Sequence, residues 1–417
     1  MSKLLLISPP EQQILMEAGD RPNMGILYVA NSARRANHDV MISDLNHDDY
    51  STLHEKIKVL KPTHIGMTTT TPYYNWIKNF STFLKSKYSN IKLIAGGPHA
   101  TVDPKSLEDN FDFIVQGEGE KSIIDILSGK AKDKIVRNDY ENDLDEFSSP
   151  ARDLLPLDNR YGINQEGQRT TTLLSSRSCN YNCFFCTKDI LGPRTRFQSP
   201  ERTVEEVKEL KEKYGFKSLY FLDDCFSIDR DRTMKLANRL IDANLGVTYR
   251  AVTRTDKVDK ELLTQLKQSG LRTITFGIEH MNDEVLKRAQ KHNTAENNRE
   301  AVRLAKQLGL YVRTSMVMNL PGATKETMNE CLSFAMKENV DYADFYSLIA
   351  YPGTQLWNNP EKYGMKIRNK DYSFYQTCGE TNVEMENMSH EDFQETVADI
   401  RQKWRGFKKT KTPWIKK

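Results

Sequence analysis

The sequence predicts an α/β protein built in two unlike parts. A doubly wound parallel sheet over residues 1–127 is followed by a linker over 128–168, a partial (β/α)6 TIM-like barrel over 169–355 and a small, helical C-terminal region over 356–417. Three observations carry this reading. Short apolar runs alternate with helical patterns up to residue 127. Six more strands of the βα type follow residue 169. Three of the chain's six cysteines fall within eight residues, directly after the first strand of that second series.

In the first part, Lys3 to Ser8 is an apolar run stopped by Pro9-Pro10. Met24 to Ala36 has helical spacing and precedes the strand Asp39 to Asp44. His54 to Leu60 reads as helix, His64 to Thr68 as strand, and Trp76 to Ser86 as helix. Strand Ile91 to Ala95 runs into Gly96-Gly97, and a last strand, Phe111 to Val115, precedes Gly117-Glu118-Gly119-Glu120. Five buried strands separated by helices argue for a parallel sheet. Such sheets bind ligands beyond their C-terminal strand ends, where glycine lets backbone approach closely. Gly96-Gly97 and Thr68 to Thr71 occupy two neighbouring ends.

Charged and turn-forming residues dominate the linker, punctuated by Phe147-Ser148-Ser149-Pro150 and Leu155-Pro156-Leu157. The second part opens with the strand Arg169 to Ser175. Helix Glu201 to Tyr214, strand Ser218 to Leu222, strand Val247 to Val252 and helix Lys260 to Gln268 come next. Strand Thr273 to Ile278, helix Thr294 to Leu308, strand Tyr311 to Met318, helix Lys325 to Glu338 and strand Phe345 to Ile349 complete the series. Barrels of this kind gather catalytic groups at C-terminal strand ends. Cys179, Asp223, Arg254, Glu279 and Asn319 all lie at or just beyond such ends.

Bulk composition excludes several classes. At 38% hydrophobic and 28% charged, the chain is of ordinary globular composition, and its longest apolar runs are too short to span a membrane. Met1-Ser2-Lys3 leads directly into a strand without signal-peptide architecture, so a cytoplasmic location is expected, with no disulfide framework. Residues Arg401 to Lys417 carry eight Lys or Arg and no acid. A solvated, partly disordered end explains this better than a nucleic-acid partner, and Trp404, Phe407 and Trp414 predict that part of it docks on the body.

Cys179, Cys183 and Cys186 are spaced C-x-x-x-C-x-x-C. Thiolates suit iron–sulfur clusters and zinc, but structural zinc and electron-transfer clusters normally take four protein ligands. Three leave one iron open. Together with Arg194 to Arg202, Gly277-Ile278-Glu279-His280, Asn319 to Thr324 and Tyr351-Pro352-Gly353-Thr354, the triad resembles the radical SAM superfamily over nearly the whole barrel. Asn23 to Tyr28, Gly96 to Thr101 and Gly117 to Glu120 resemble the cobalamin-binding domain attached to many of those enzymes.

The resemblance implies that Cys179, Cys183 and Cys186 hold a [4Fe–4S] cluster whose fourth iron chelates S-adenosylmethionine. One electron then releases a 5′-deoxyadenosyl radical, which takes hydrogen from an unactivated carbon. It implies a cobalamin tail against Thr69, Thr70, Gly96 and Gly97. The loop after the first strand, Pro9 to Ile14, lacks the histidine that ligates cobalt from below in methionine-synthase-like proteins, so no protein histidine is expected on cobalt. Phe185 resembles the aromatic beside adenine, or a barrel-wall residue. Asp223 and Asp224 stand where relatives contact the methionine amino group, or cap the next helix. Arg254 suits the methionine carboxylate, or a surface ion pair. Glu279 suits the ribose or amino group. His280, where the family usually has Ser, joins Glu279 as a catalytic candidate, with a packing role as its alternative. Cys225, Cys331 and Cys378 lack ligand spacing and read as free buried thiols.

The resemblance implies a C-methyltransferase acting on a small-molecule or natural-product substrate and served by an external electron donor such as flavodoxin or ferredoxin. Radical cyclisation or rearrangement on the same fold is the alternative. RNA modification of the methylthiotransferase type normally needs a second three-cysteine cluster, and residues 1–168 contain no cysteine. An iron–sulfur redox sensor is the non-enzymatic alternative. The region after Gly353, with Tyr363, Tyr372, Phe374 and Tyr375, is expected to close the barrel and shape the pocket, with ordinary packing as the equal alternative.

Overall fold

The computed structural model describes residues 1–10, 21–147, 149–157, 161, 168–372, 375 and 380–411, with the side chains of Lys188, Asp189, Thr410 and Lys411 outside the described set. The chain forms two compact units, residues 1–180 with 187–220 and residues 181–186 with 221–417.

The first unit begins with β1 (Lys3–Ser8), α1 (Met24–Arg35), β2 (Asp39–Asp44), α2 (Tyr50–Leu60), β3 (His64–Thr68) and α3 (Tyr74–Lys87). It continues with β4 (Lys92–Gly96), α4 (Pro98–Val102), β5 (Phe113–Gln116), α5 (Gly119–Leu127) and β6 (Ile135–Arg137). The sheet order is β2-β1-β3-β4-β5-β6, with parallel pairings throughout. Leu4 to Ile7 are almost wholly buried because β1 is central and covered on both faces, which explains its continuous apolar run. Strand order reverses between β1 and β3, which opens a crevice at the C-terminal strand ends. Helix starts follow local capping. The Asn23 side chain accepts from the Ile26 N–H at 3.2 Å, and Asp49 accepts from the Thr52 N–H at 2.7 Å. The Asp49 cap starts α2 four residues earlier than its apolar spacing predicts.

One strand lies where the sequence predicts linker. Lys134-Ile-Val-Arg is short and flanked by charge, and its middle residue Val136 alone is buried, so apolar patterning does not reveal it. Pairing with β5 makes β6 a strand. After it the first unit holds β7 (Thr170–Leu173), the two-residue antiparallel pair β8 (Ser176–Arg177) and β9 (Arg196–Phe197), α6 (Pro200–Glu212) and β10 (Ser218–Phe221), whose last residue falls in the second unit.

The second unit carries α7 (Arg230–Ala243), β11 (Thr248–Thr253), α8 (Lys260–Gln268), β12 (Leu271–Glu279), α9 (Asp283–Arg288), α10 (Ala295–Gln307), β13 (Tyr311–Val317), α11 (Lys325–Lys337) and β14 (Tyr342–Tyr346). All six expected βα strands, β7 and β10 to β14, are present, and β11 to β14 pair in parallel sequence. β14 ends before the predicted Leu348-Ile349. The Leu348 N–H goes instead to Asn319 Oδ1 at 2.6 Å and the Ala350 N–H to Asn382 Oδ1 at 2.9 Å, so side-chain amides replace the ladder there. α12 (Gln355–Asn358), the antiparallel pair β15 (Met365–Ile367) and β16 (Val383–Met385), and α13 (His390–Lys411) complete the unit.

α13 docks through its aromatic residues. Trp404 is buried, stacks on Phe407 at 5.7 Å and meets Phe345 edge-on at 6.2 Å. Trp414, Phe374 and Cys378 lie outside the described residues. Among the described residues no helix is long and apolar enough to cross a membrane.

Candidate functional site

Two sites emerge, one in each unit. The first is a cavity of about 370 Å³ at the C-terminal edge of the first sheet. Its walls include Leu6 of β1, Gly66 to Thr68 of β3, Gly96 of β4, the Gly117–Glu120 segment after β5, and Ile26 and Tyr28 of α1. Backbone comes unusually close here. Gly97 has φ +91°, and a Cβ on it would lie 2.6 Å from Thr68 Oγ1 and 3.0 Å from the Thr69 nitrogen.

Of the four residues predicted to bind cobalamin, Thr70, Gly96 and Gly97 line the cavity. Thr69 does not. It is wholly buried, and its hydroxyl donates to the Gly96 carbonyl at 2.8 Å and accepts from the Ala100 N–H at 3.0 Å, so it braces the loop. The buried Thr70 hydroxyl has no hydrogen-bond partner. An orphaned buried hydroxyl on a glycine-lined wall fits a polar cofactor that supplies the missing partner. Among the described residues no histidine lines the cavity. His99, wholly buried in α4, uses both ring nitrogens, one with Thr71 Oγ1 and one with Ser106 Oγ, each at 3.0 Å.

The second site lies at the C-terminal end of β12. There the ladder with β13 shifts register between Gly277 and Glu279, and Glu279 takes φ +62°, a left-handed conformation rare for a non-glycine residue. Such strain persists only where surrounding structure over-determines it. Lys291 supplies part of that. Its Nζ donates to Glu279 Oε1 at 2.8 Å, and both side chains are nearly buried, 6% and 12% exposed. Burial alone would lower the Lys291 pKa. The Glu279 carboxylate, with a smaller contribution from Cys183, outweighs burial and holds it raised, so Lys291 stays charged. Gly277 makes room for it, since a Cβ there would lie 2.8 Å from Glu279 Oε1 and 3.3 Å from Lys291 Nζ.

Arg254 belongs to the same cluster. It is 5% exposed, not a surface residue. Nε and Nη2 grip Asp256 at 2.8 and 3.0 Å, Nη2 also donates to the Lys291 carbonyl at 2.7 Å, and the guanidinium lies 3.7 Å from the centre of the Tyr181 ring. Its buried Nη1 has no partner. A fixed guanidinium with a spare N–H fits a carboxylate ligand such as that of S-adenosylmethionine.

The remaining predicted residues are placed as follows. Asp223 is buried just beyond β10, and Asp224 is exposed. Phe185 is half-buried and meets the buried Phe184 edge-on at 5.4 Å, while Phe184 packs on Tyr363 at 4.5 Å. His280 is wholly buried. Its Nδ1 accepts from the Asn282 N–H at 3.2 Å, its Nε2 has no partner, and burial pulls its pKa down to about 4. Asn298 holds the same turn by donating to the Ile278 and His280 carbonyls, both at 3.2 Å.

Cys179 belongs to the first unit, and Cys183 and Cys186 to the second. None of the three is in a disulfide, nor are the buried Cys225 and Cys331. Burial pushes the Cys183 thiol up, against a downward pull from Lys291 and Arg254. Among the described residues no three or more His, Cys, Asp or Glu side chains form an assembled metal-holding group. The fit to an iron–sulfur cluster therefore rests on the donor set: three thiols within eight residues, two of them in the turn where the Cys186 N–H donates to the Cys183 carbonyl at 3.0 Å.

Sequence reasoning missed Lys291, Asp256, Tyr181 and Asn298. Tyr181 had one available signal, its place between the first two cysteines. Lys291 is brought back by a turn with positive φ at Gln290 and His292, which no spacing rule encodes.

A glycine-lined crevice at a sheet's switch point and a barrel-type strand series carrying three clustered cysteines resemble the layout of cobalamin-dependent radical SAM proteins. Residues 173–335 match the Radical SAM superfamily, and residues 17–127 match the B12 binding domain. The chain is 31% identical over 382 residues to an uncharacterized methyltransferase of Pyrococcus horikoshii, covering 85% of this chain and 82% of that one. It is 24% identical over 389 residues to the anaerobic magnesium-protoporphyrin IX monomethyl ester cyclase of Rubrivivax gelatinosus, covering 86% and 69%. The radical SAM methyltransferase TsrM of Kitasatospora setae, solved with cobalamin and a [4Fe–4S] cluster, shares the fold at TM-score 0.70 and 18% identity, over 89% of this chain and 81% of that one. OxsB, solved with aqua-cobalamin and S-adenosylmethionine, shares it at TM-score 0.68 and 16% identity, over 97% and 56%. The chain belongs to the cobalamin-dependent radical SAM family, whose cofactors are a [4Fe–4S] cluster, S-adenosylmethionine and cobalamin.

Proposed function

We propose that this protein is a C-methyltransferase that acts on an unactivated carbon of a small-molecule substrate, with an external one-electron donor of the flavodoxin or ferredoxin class, in a reducing cytoplasm. The observation that carries the reading is the glycine-lined cavity with its orphaned Thr70 hydroxyl, because methyl transfer by this family needs a cobalamin beside the radical chemistry. The overall similarity to the Pyrococcus horikoshii methyltransferase supports it. When bound, the cofactors supply the radical and the methyl group.

The chain's own part is binding, orientation and exclusion of water. Cys179, Cys183 and Cys186 hold the cluster. Thr70, Gly96 and Gly97 receive the cobalamin tail, with Thr69 bracing their loop. Arg254, fixed by Asp256 and Tyr181, offers Nη1 to the methionine carboxylate. Asp223 and Asp224 serve the methionine amino group, Phe185 packs near adenine, and Glu279, held by Lys291, accepts from the ribose or amino group. His280, neutral at ordinary pH with Nδ1 committed to Asn282, anchors the turn that presents Glu279.

Anaerobic reconstitution with iron, sulfide and hydroxocobalamin tests this, followed by assay of 5′-deoxyadenosine and S-adenosylhomocysteine after reduction. Both products are expected. Each Cys→Ala variant in the triad should lose cluster iron and 5′-deoxyadenosine together. The similarity to a cyclase favours one second reading, a non-methylating radical cyclisation, which would give 5′-deoxyadenosine without S-adenosylhomocysteine.

A further inference from the structure

The cysteine-bearing segment is bracketed by two arginines, Arg177 on β8 and Arg196 on β9, and both close on the same carboxylate. Arg177 Nη1 donates to Glu118 Oε1 at 2.6 Å, and its Nη2 donates to Glu120 Oε1 at 2.7 Å. Arg196 grips Glu118 bidentately, Nη1 to Oε2 and Nη2 to Oε1, both at 2.9 Å. All four side chains are buried. Glu118 and Glu120 belong to the segment that walls the cavity in the first sheet, and so does Arg177.

The contacts continue along the return limb of the segment. Arg196 donates to the Leu191 and Glu141 carbonyls. Ser178 donates through its hydroxyl to the Gly192 carbonyl. Ile190 and Leu191 themselves line the cavity. Cβ positions on Gly117 and Gly192 would lie 3.4 and 3.1 Å from the nearest atoms of the Tyr140 ring, so one ring packs against both segments. Arg177 is further held between Tyr28 and Phe147, with ring centres 4.8 and 4.5 Å away. Burying two guanidiniums and two carboxylates is costly and contributes little net stability compared with an apolar core. What such a network does supply is a single register between the segments it joins.

We propose that Glu118 and Arg196 are positioning residues that couple the cobalamin-side cavity to the cysteine-bearing segment, so that filling the cavity orders residues 190–197 and thereby both limbs of the cluster-binding loop. The inference rests on the reading of this cavity as the cobalamin site. By linkage the coupling is reciprocal: an ordered cysteine segment tightens the cavity's hold on its ligand by the same factor.

The test is hydrogen exchange of the full-length, cluster-reconstituted protein with and without hydroxocobalamin, with corrin binding followed separately by its visible spectrum. In the wild-type chain, hydroxocobalamin should slow exchange in residues 190–197 by at least about tenfold. Arg196→Lys keeps the charge but cannot bridge both Glu118 oxygens and the Leu191 carbonyl. It should lose the slowing and bind hydroxocobalamin more weakly by about the same factor. Arg196→Gln, at a position outside the cavity wall and with the charge removed as well, is read the same way should Arg196→Lys not fold. A variant that retains the slowing, a variant that loses hydroxocobalamin binding outright, or a wild-type segment indifferent to bound hydroxocobalamin would each overturn the proposal. Absence of hydroxocobalamin binding by the wild-type protein would instead remove the cobalamin reading on which it stands.

Discussion

Lys291 Nζ meets Glu279 Oε1 at 2.8 Å beneath a strand end whose backbone is left-handed at Glu279, so a buried ion pair and a strained residue share one site. Removing one partner strands the other charge in a low-dielectric setting, which costs about 3–5 kcal/mol, whereas replacing both partners is far milder. Lys291→Ala should therefore lower the urea midpoint of the second unit strongly. Glu279→Gln combined with Lys291→Met should recover most of the loss. A double-mutant cycle in urea measures the coupling, and additive effects would show that the pair is not a unit.

Gly277→Ala tests the same pair without removing either charge. The added Cβ meets only the flexible ends of Glu279 and Lys291, so the fold should hold to within about 1 kcal/mol. The displaced carboxylate should weaken S-adenosylmethionine binding about tenfold, equivalent to about 1.4 kcal/mol. Calorimetric titration of the reconstituted protein reads this directly. An unchanged affinity would separate Glu279 from the ligand.

Thr70→Val carries two effects of opposite sign. It replaces an unpartnered buried hydroxyl by a methyl group of similar size, so the cofactor-free protein should be as stable or slightly more stable. Hydroxocobalamin affinity should fall about fivefold to tenfold as the hydroxyl's hydrogen bond is lost, within the range of one such bond. Thermal unfolding and spectral titration on the same samples give both numbers. Lower stability with unchanged affinity would make Thr70 a purely structural residue.

The same sites show how much of the protein was legible in sequence. The strand series, the cysteine spacing and the glycine pair are local patterns; they anticipated both sheets, and three of the four residues expected to hold cobalamin line the cavity. Local patterns do not encode which distant side chain closes on which. Glu118 was visible only as part of a glycine-rich turn, although its carboxylate takes two arginines from 59 and 78 residues away. Lys291 reaches Glu279 through a turn of unusual backbone geometry. Ile135 to Arg137 had too few apolar residues to announce a strand, and pairing with β5 alone made it one.

Acid should destabilise the cofactor-free protein through two histidines. Burial lowers the pKa of both His99 and His280 from the ordinary 6.5 to about 4. Between pH 6.5 and 4 the unfolded chain binds protons that the folded chain refuses, so stability falls as pH falls through that window and is fully present above it. Each histidine contributes up to about 3 kcal/mol of this loss. Urea unfolding across pH 4 to 7 should show the slope, and His99→Gln should flatten it. The same slope in the variant would mean that His99 protonates freely in the folded state.

The most direct measurement of the central claim uses S-adenosylmethionine carrying a trideuterated methyl group, given to the reconstituted, hydroxocobalamin-loaded protein under reducing conditions. The account predicts deuterated methyl recovered in the corrin fraction, together with S-adenosylhomocysteine and 5′-deoxyadenosine. Corrin that stays unlabelled while 5′-deoxyadenosine accumulates would contradict the methyltransferase assignment.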